Sequence, residues 1–250
     1  MPDTQFSVAD KQIVITGASK GIGFALAQGF CKAGARVTIT ARNQKQLSEA
    51  HEALLKLDPR ASAQVLDVND DTAIRDFFAA TPIDVLINNA GVEHVCESLN
   101  MSEMIWDKIV DTNLKGSFFC ARAAAEVMKS QGKGTIINMC SLTSAVGVPG
   151  AVPYSASKSG LLGVTRALSS EWAKYNIRVN AIGPGYFQTD MTDVFYQDAQ
   201  WCESMLKKIP MQRFGQLDDL VGTAIFLASE ASAYMTGQVL YVDGGYLASI

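Results

Sequence analysis

Short apolar runs alternate along this chain with longer amphipathic stretches. Gln12-Ile13-Val14-Ile15-Thr16 is rich in β-branched residues and stops at Gly17, as a strand buried on both faces does. Comparable runs occupy residues 35–40, 61–66, 83–87, 134–139, 177–182 and 238–242. Helical patterns lie between them at 24–33, 43–57, 70–80, 102–130, 153–175 and 217–229, with an interruption expected near Asp111-Thr112-Asn113. Such alternation predicts one α/β domain over residues 1–250, a doubly wound sheet of seven mostly parallel strands with helices on both faces. Residues 186–208 are the least regular and carry Phe195, Tyr196 and Trp201. Insertions at this edge of a sheet commonly cover ligands, so about 186–215 is expected to be a substrate-binding lid, with a plain helical connector as the alternative.

Composition narrows the picture. A content of 48% hydrophobic and 18% charged residues fits a compact chain rather than a disordered one. The formal net charge of −4, without a basic tract, argues against nucleic acid or an anionic membrane as partner. Five cysteines, odd in number and scattered, form neither a disulfide framework nor a metal-binding spacing, and no metal is expected. Residues 1–10 lack the basic start and apolar core of a secretory leader, and no apolar run reaches membrane-spanning length; a cytoplasmic location is expected.

Candidate chemistry begins at Thr16-Gly17-Ala18-Ser19-Lys20-Gly21-Ile22-Gly23, where a strand turns into a helix. Missing side chains let backbone approach a pyrophosphate, and a helix N-terminus offers free N–H groups and a favourable dipole, which makes the fold Rossmann-type. The spacing Gly-x-x-x-Gly-x-Gly departs from the more widespread Gly-x-Gly-x-x-Gly. At the tip of the second strand stand Ala41 and Arg42, with no acid to bind a ribose 2′-hydroxyl. Arg42 and Lys20 together favour a 2′-phosphate, hence NADP over NAD. Asp67-Val68 ends the third strand, placing Asp67 either at the adenine end of a dinucleotide or at a helix N-cap. Asn88-Asn89-Ala90-Gly91 ends the fourth, to support the cofactor or neighbouring loops.

Tyr154 and Lys158 share one helix face at i and i+4. An ammonium beside a phenol favours the phenolate, so the pair is a candidate acid/base engine. Ser141 closes strand five, and the intervening loop, with Gly147, Pro149, Gly150 and Pro153, would bring it beside Tyr154. Asn113, among apolar neighbours, is either a local irregularity or a group that holds water or backbone in a proton path.

The ordered set Thr16 to Gly23, Asn88 to Gly91, Asn113, Ser141, Tyr154-x-x-x-Lys158, Pro184-Gly185 and Thr189 resembles the short-chain dehydrogenase/reductase family over nearly the whole chain. The resemblance implies an NAD(P)-dependent oxidoreductase with Asn113, Ser141, Tyr154 and Lys158 as a catalytic tetrad. It implies that Gly17, Ser19, Lys20, Gly21, Ile22 and Gly23 surround the pyrophosphate side, with Arg42 at a 2′-phosphate. Asp67 and Asn89, Ala90 and Gly91 would line the adenosine side, Thr189 would hold the nicotinamide carboxamide, and Val68, Pro184 and Gly185 would also touch the cofactor. Tyr154 would act as base in oxidation, Lys158 would lower its pKa and bind the nicotinamide ribose, Ser141 would hold the substrate oxygen and Asn113 a water.

The ending Tyr241 to Ala248 looks like members acting on sugar acids and polyols, notably gluconate 5-dehydrogenases, and also like 3-oxoacyl-carrier-protein reductases. A small-ketone substrate is a further alternative. Glu93, His94, Tyr186, Gln188 and Phe195 are expected to face the substrate, with His94 either pairing a carboxylate or sitting on a surface loop. A regulator that binds dinucleotide without catalysis would need the glycine turn but not Tyr154 and Ser141 together. The family resemblance also implies a homotetramer built on helices 102–130 and 153–175 and the last strand, with Ala121, Ala123, Ala124 and Ala125 permitting close helix packing there or, as the alternative, packing the chain's own core.

Overall fold

The apolar runs become strands β1 (Gln12–Thr16), β2 (Arg36–Ala41), β3 (Ser62–Val65), β4 (Val85–Asn88), β5 (Gly134–Met139), β6 (Ile177–Pro184) and β7 (Val239–Val242). They form one sheet in the order β3-β2-β1-β4-β5-β6-β7. Every neighbouring pair is parallel, where the sequence left room for a mixed sheet. The computed structural model describes residues 4–190 and 192–249. The side chain of Phe195, expected at the substrate, lies outside the described residues.

Residue alternation divides the core into two layers. Ile13 and Ile15 of β1 and Val37 and Ile39 of β2 face one layer with Leu26 and Phe30 of α1 (Gly21–Lys32), Leu47 and Leu54 of α2 (Gln44–Leu55) and residues of α9 (Val221–Ala228). Val14 and Leu86 point the other way, onto Ile74 and Phe78 of α3 (Asp71–Ala79), Ala124 of α5 (Ser117–Gln131) and Leu168 of α6 (Val152–Trp172). Each side chain the size of Phe30 or Leu26, fully buried here, contributes about 1.5–3 kcal/mol. This two-sided burial explains why the strands read as continuous apolar runs. The alanines at 121 and 123–125 belong to this internal layer, being 1%, 4%, 0% and 7% exposed, so they pack the chain's own core and are not available to a second copy.

Helix α1 begins at Gly21, three positions before residue 24, where apolar periodicity first announces it. Its opening glycines carry no apolar side chain for such a pattern to register. The expected break in 102–130 is a π-helical turn, Asp111–Gly116, between α4 (Glu103–Val110) and α5. The irregular region contains α7 (Asp193–Tyr196) and α8 (Ala199–Lys208), and the last predicted helix opens with a 3-10 turn at Leu217–Leu220.

The π turn is packed against the exit of β3. A Cβ on Gly116 would stand 2.7 Å from the Val68 carbonyl oxygen, backbone that has little room to yield, and 3.1 Å from the Val68 Cβ. Gly116→Ala is therefore expected to destabilise the protein by about 1–3 kcal/mol, read as a lower urea midpoint at unchanged m-value. An unaltered midpoint would mean that this junction is loosely packed.

Candidate active site

All strands run parallel, so their carboxyl ends share one edge, and the order reverses between β1 and β4. Ligands of open α/β sheets bind at such a reversal. A cleft of about 480 Å³ lies there, lined from the ends of β1, β4, β5 and β6 and from residues that follow β6. Gly17 and Gly21 hold φ of +64° and +58°, in the left-handed region. A Cβ on Gly17 would stand 2.6 Å from Ala90 Cα, so the turn after β1 presses on the segment after β4.

Asn89 fastens that junction. Its Nδ2 donates to the carbonyls of Thr16 and Gly17, both at 2.9 Å, while Thr16 Oγ1 accepts from the amides of Asn89 and Ala90, both at 3.1 Å. The Asn89 side chain is thereby committed to the neighbouring loop, and Ala90 and Gly91 present backbone to the cleft. Ser19, Lys20, Gly21 and Ile22 form the adjoining wall. No side chain caps α1 at Lys20, so its first amides remain as donors for an anion. Gly23 faces Asn89 and Ala18 rather than the cleft and serves packing of the turn. This cradle fits a pyrophosphate.

Arg42, exposed at the end of β2, lines the cleft with Asn43 and Gln46 and has no hydrogen bond or ion pair among the described residues. Lys20 is engaged: its Nζ meets Asp190 Oδ2 at 2.9 Å across the mouth, with both side chains largely exposed. Val68 lines the cleft, but Asp67 does not; its Oδ1 accepts the Asn69 amide at 3.0 Å within a local turn. Nor is Asp67 the N-cap of α3, which is Asp70, accepting from Thr72 and Ala73.

On the opposite side Ser141, Tyr154 and Lys158 converge. Lys158 is 4% exposed; its ammonium donates to the Met139 carbonyl at 2.6 Å and stands 5.5 Å from the Tyr154 ring centroid. Burial pushes the Tyr154 phenol above its ordinary value, Glu93 adds to the rise, and a hydrogen bond with Ser141 opposes it. The expected lowering by Lys158 is not among the influences on the phenol, whose rise is dominated by desolvation, and the ammonium is itself held below its usual pKa by burial. Asn113, fully buried, donates through Nδ2 to Val92 O at 2.9 Å and Ser157 Oγ at 3.2 Å, and its Oδ1 accepts the Val92 amide at 2.8 Å. Its side chain ties the segment after β4 to α6, as a residue that holds backbone does.

Pro184 at the end of β6 and Gly185 and Thr189 beyond it line the cleft, where Thr189 and Thr192 hydroxyls lie 3.2 Å apart. Tyr186 lines it too, its ring edge-on to Trp201 at 5.7 Å and to Tyr246 at 5.3 Å. Tyr196 and Trp201 from α7 and α8 complete an aromatic wall. His94 is exposed and outside the lining, and Gln188 is exposed with its amide on Asp193 at 2.9 Å, so neither faces the cleft. Glu93 does, where burial raises its pKa against the pull of Lys158. Leu142, Thr143 and Val148 also line the cleft from a loop without periodicity, so no sequence pattern singled them out.

The family model described as Enoyl-(Acyl carrier protein) reductase matches residues 17–247. Gluconate 5-dehydrogenase from Gluconobacter oxydans (strain 621H) is 38% identical over 250 residues, 98% of either chain. A protein provisionally described as a short-chain alcohol dehydrogenase from Sinorhizobium meliloti 1021 is 51% identical with a TM-score of 0.95, the match covering 98% of this chain and 100% of that one. Gluconate 5-dehydrogenase from Burkholderia cenocepacia J2315, solved in complex with NADP and tartrate, is 35% identical with a TM-score of 0.95 over 99% of each chain. With this agreement along its whole length, on the seven-stranded parallel frame and around the cleft just described, the chain belongs to the short-chain dehydrogenase/reductase family of NAD(P)-dependent oxidoreductases.

Proposed function

We propose that the protein is an NADP(H)-dependent oxidoreductase that interconverts a secondary alcohol and a ketone on a small polyhydroxylated substrate of the sugar-acid and polyol class. The observation that carries this reading is the convergence of Tyr154, Ser141 and Lys158 in the cleft that also holds the glycine turn. Relatives named gluconate 5-dehydrogenase, one of them with NADP, support the substrate class and the cofactor. A regulator would have no use for the tyrosine and serine beside the cradle.

In this reading the pyrophosphate rests on the uncapped start of α1, and Arg42 meets the 2′-phosphate. Lys20 joins it by exchanging Asp190 for the phosphate. When bound, NADP supplies the nicotinamide carbon that accepts or returns the hydride. Tyr154 takes the hydroxyl proton in oxidation and returns it in reduction, within reach of a substrate oxygen held by Ser141. Lys158, the buried cation beside the phenol, stabilises the phenolate form and draws its own position from Met139. Asn113 positions α6 against the strand-four loop, keeping Tyr154 and Glu93 at a fixed separation. The segment of α7 and α8 encloses the substrate through Tyr196 and Trp201.

Two further proposals concern the setting. Five free cysteines suit a reducing, cytoplasmic compartment, and among the described residues no helix is long and apolar enough to cross a membrane. Leu99 and Met104, at and beside the start of α4, are 96% and 76% exposed, and apolar surface of this kind supports a homotetramer packed through α4, α5, α6 and the last strand. Light scattering should give a mass near four times the 26.9 kDa chain, and a monomer would refute the assembly.

Tyr154→Phe is expected to lower kcat by at least about 10²-fold while leaving NADP(H) binding in place, measured by turnover and by cofactor fluorescence. Intact turnover would end the acid/base assignment. Because the phenol is held protonated, oxidation should accelerate as pH rises, with log kcat/KM climbing at a slope of up to about one, whereas reduction should not. Ala41→Asp with Arg42→Ala should shift the NADP-to-NAD ratio of kcat/KM by roughly 10–100-fold toward NAD, the worth of a charged contact to phosphate. An unchanged ratio would place the 2′-phosphate elsewhere.

A further inference from the structure

The two ends of the cleft differ in charge. Its cations are Lys20 and Arg42, on the side of β1 and β2, and Lys158, buried against Met139. The other wall holds Glu93 from the segment after β4, Leu142 and Val148 from after β5, and Tyr186, Tyr196 and Trp201 from after β6. Among the described residues Lys158, its ammonium bound to the Met139 carbonyl, is the one Lys, Arg or His that lines that side, and Met191, Val194 and Phe195 are uncharged by sequence. His94, the one basic candidate next to Glu93, is exposed and outside the lining.

A carboxylate entering this end would give up its hydration and meet no cation but Lys158, which is buried, bound to the Met139 carbonyl and already faced by Glu93, and a poorly paired charge is costly to desolvate. Glu93 makes matters worse. It has no hydrogen bond or ion pair among the described residues, and it is near enough to Tyr154 and Lys158 to perturb both. Ionised, it repels a second carboxylate; protonated, it is a hydroxyl-like donor and still offers no positive charge. Neutral hydroxyl groups have the opposite experience, since either form of Glu93 can exchange a hydrogen bond with them. The aromatic faces of Tyr186 and Trp201 suit the apolar C–H side of a carbon chain.

We propose that this end of the cleft selects an uncharged polyhydroxy substrate, an alditol or its ketose, over an aldonate of the same carbon skeleton. Glu93 is the specificity-determining residue, binding a substrate hydroxyl and turning carboxylates away. The inference rests on the polyol reading above and narrows it to the neutral members of that class.

The test uses the purified full chain with NADP and three compounds that differ at one terminal carbon: D-glucitol, D-gluconamide and D-gluconate. The two neutral compounds should show kcat/KM at least about tenfold above gluconate, the difference lying mainly in KM, as expected for a poorly paired desolvated charge. In Glu93→Gln the glucitol-to-gluconate ratio should fall by at least about tenfold, and Glu93→Asp should retain much of the discrimination, because charge rather than size carries it. A wild-type preference for gluconate, or a ratio unmoved in Glu93→Gln, overturns this inference and leaves the polyol reading standing. Turnover of none of the three, with a 3-oxoacyl thioester reduced instead, overturns the polyol reading and this inference with it.

Discussion

Four hydrogen bonds between Thr16, Gly17, Asn89 and Ala90 hold the ends of β1 and β4 together, and the rest of the cleft depends on that closure. Parallel strands splay at a topological reversal, because the helices that follow them leave toward opposite faces. Left open, the reversal would expose backbone groups that no ladder satisfies. Asn89 satisfies two carbonyls and Thr16 two amides, so polar groups at the sheet edge are paired without filling the space above them. The left-handed glycines can then bring the start of α1 to the same place. A crevice with free helix amides on one side and a fixed floor on the other is the outcome.

A second set of buried polar groups holds the catalytic side. Asn88 Nδ2 donates to Asn138 Oδ1 at 2.9 Å, Asn138 Nδ2 donates to Thr165 Oγ1 at 2.9 Å, and Thr165 Oγ1 donates to the Leu161 carbonyl at 2.8 Å. This relay runs from β4 through β5 into α6, the helix that carries Tyr154 and Lys158. Asn113 adds a link from the π turn to Ser157 on the same helix. Among the described residues Asn88 Oδ1 is left without a partner, but the paired groups of this relay favour one arrangement over near alternatives, since a shift would leave further desolvated groups unpaired. The tyrosine and the serine therefore face each other from elements that polar constraints, beyond apolar packing, keep in register.

Sequence patterning and the structure agree closely where packing alone decides. The apolar strands at 12–16 and 134–139 are observed with the expected bounds, because two-sided burial demands unbroken apolar character. The interruption near Asp111 was also legible, since Asp111, Thr112 and Asn113 break a helical pattern with residues that helices do not favour. Less legible was what each polar residue does. Asp67 and Asp70 are both acids after β3, and only the backbone path shows that Asp70 caps α3 while Asp67 closes a turn. Asn113 by type could hold water or backbone, and only the packed structure shows its amide on the Val92 backbone and Ser157.

The order of strands and helices, the glycine turn and the spacing of Tyr154 and Lys158 follow from the sequence by itself, because they rest on periodicity and on residues with restricted or unusual backbone freedom. Tertiary structure alone decided which side chains look into the cleft. Glu93 and His94 are adjacent in sequence, yet the first lines the cleft beside Tyr154 and the second faces solvent. Lys158 likewise has its charge bound to a carbonyl of a strand nineteen residues earlier, and the pKa of its tyrosine is set by burial more than by proximity along the helix. Such outcomes depend on desolvation and on the direction of a loop, quantities that arise only when distant segments pack together.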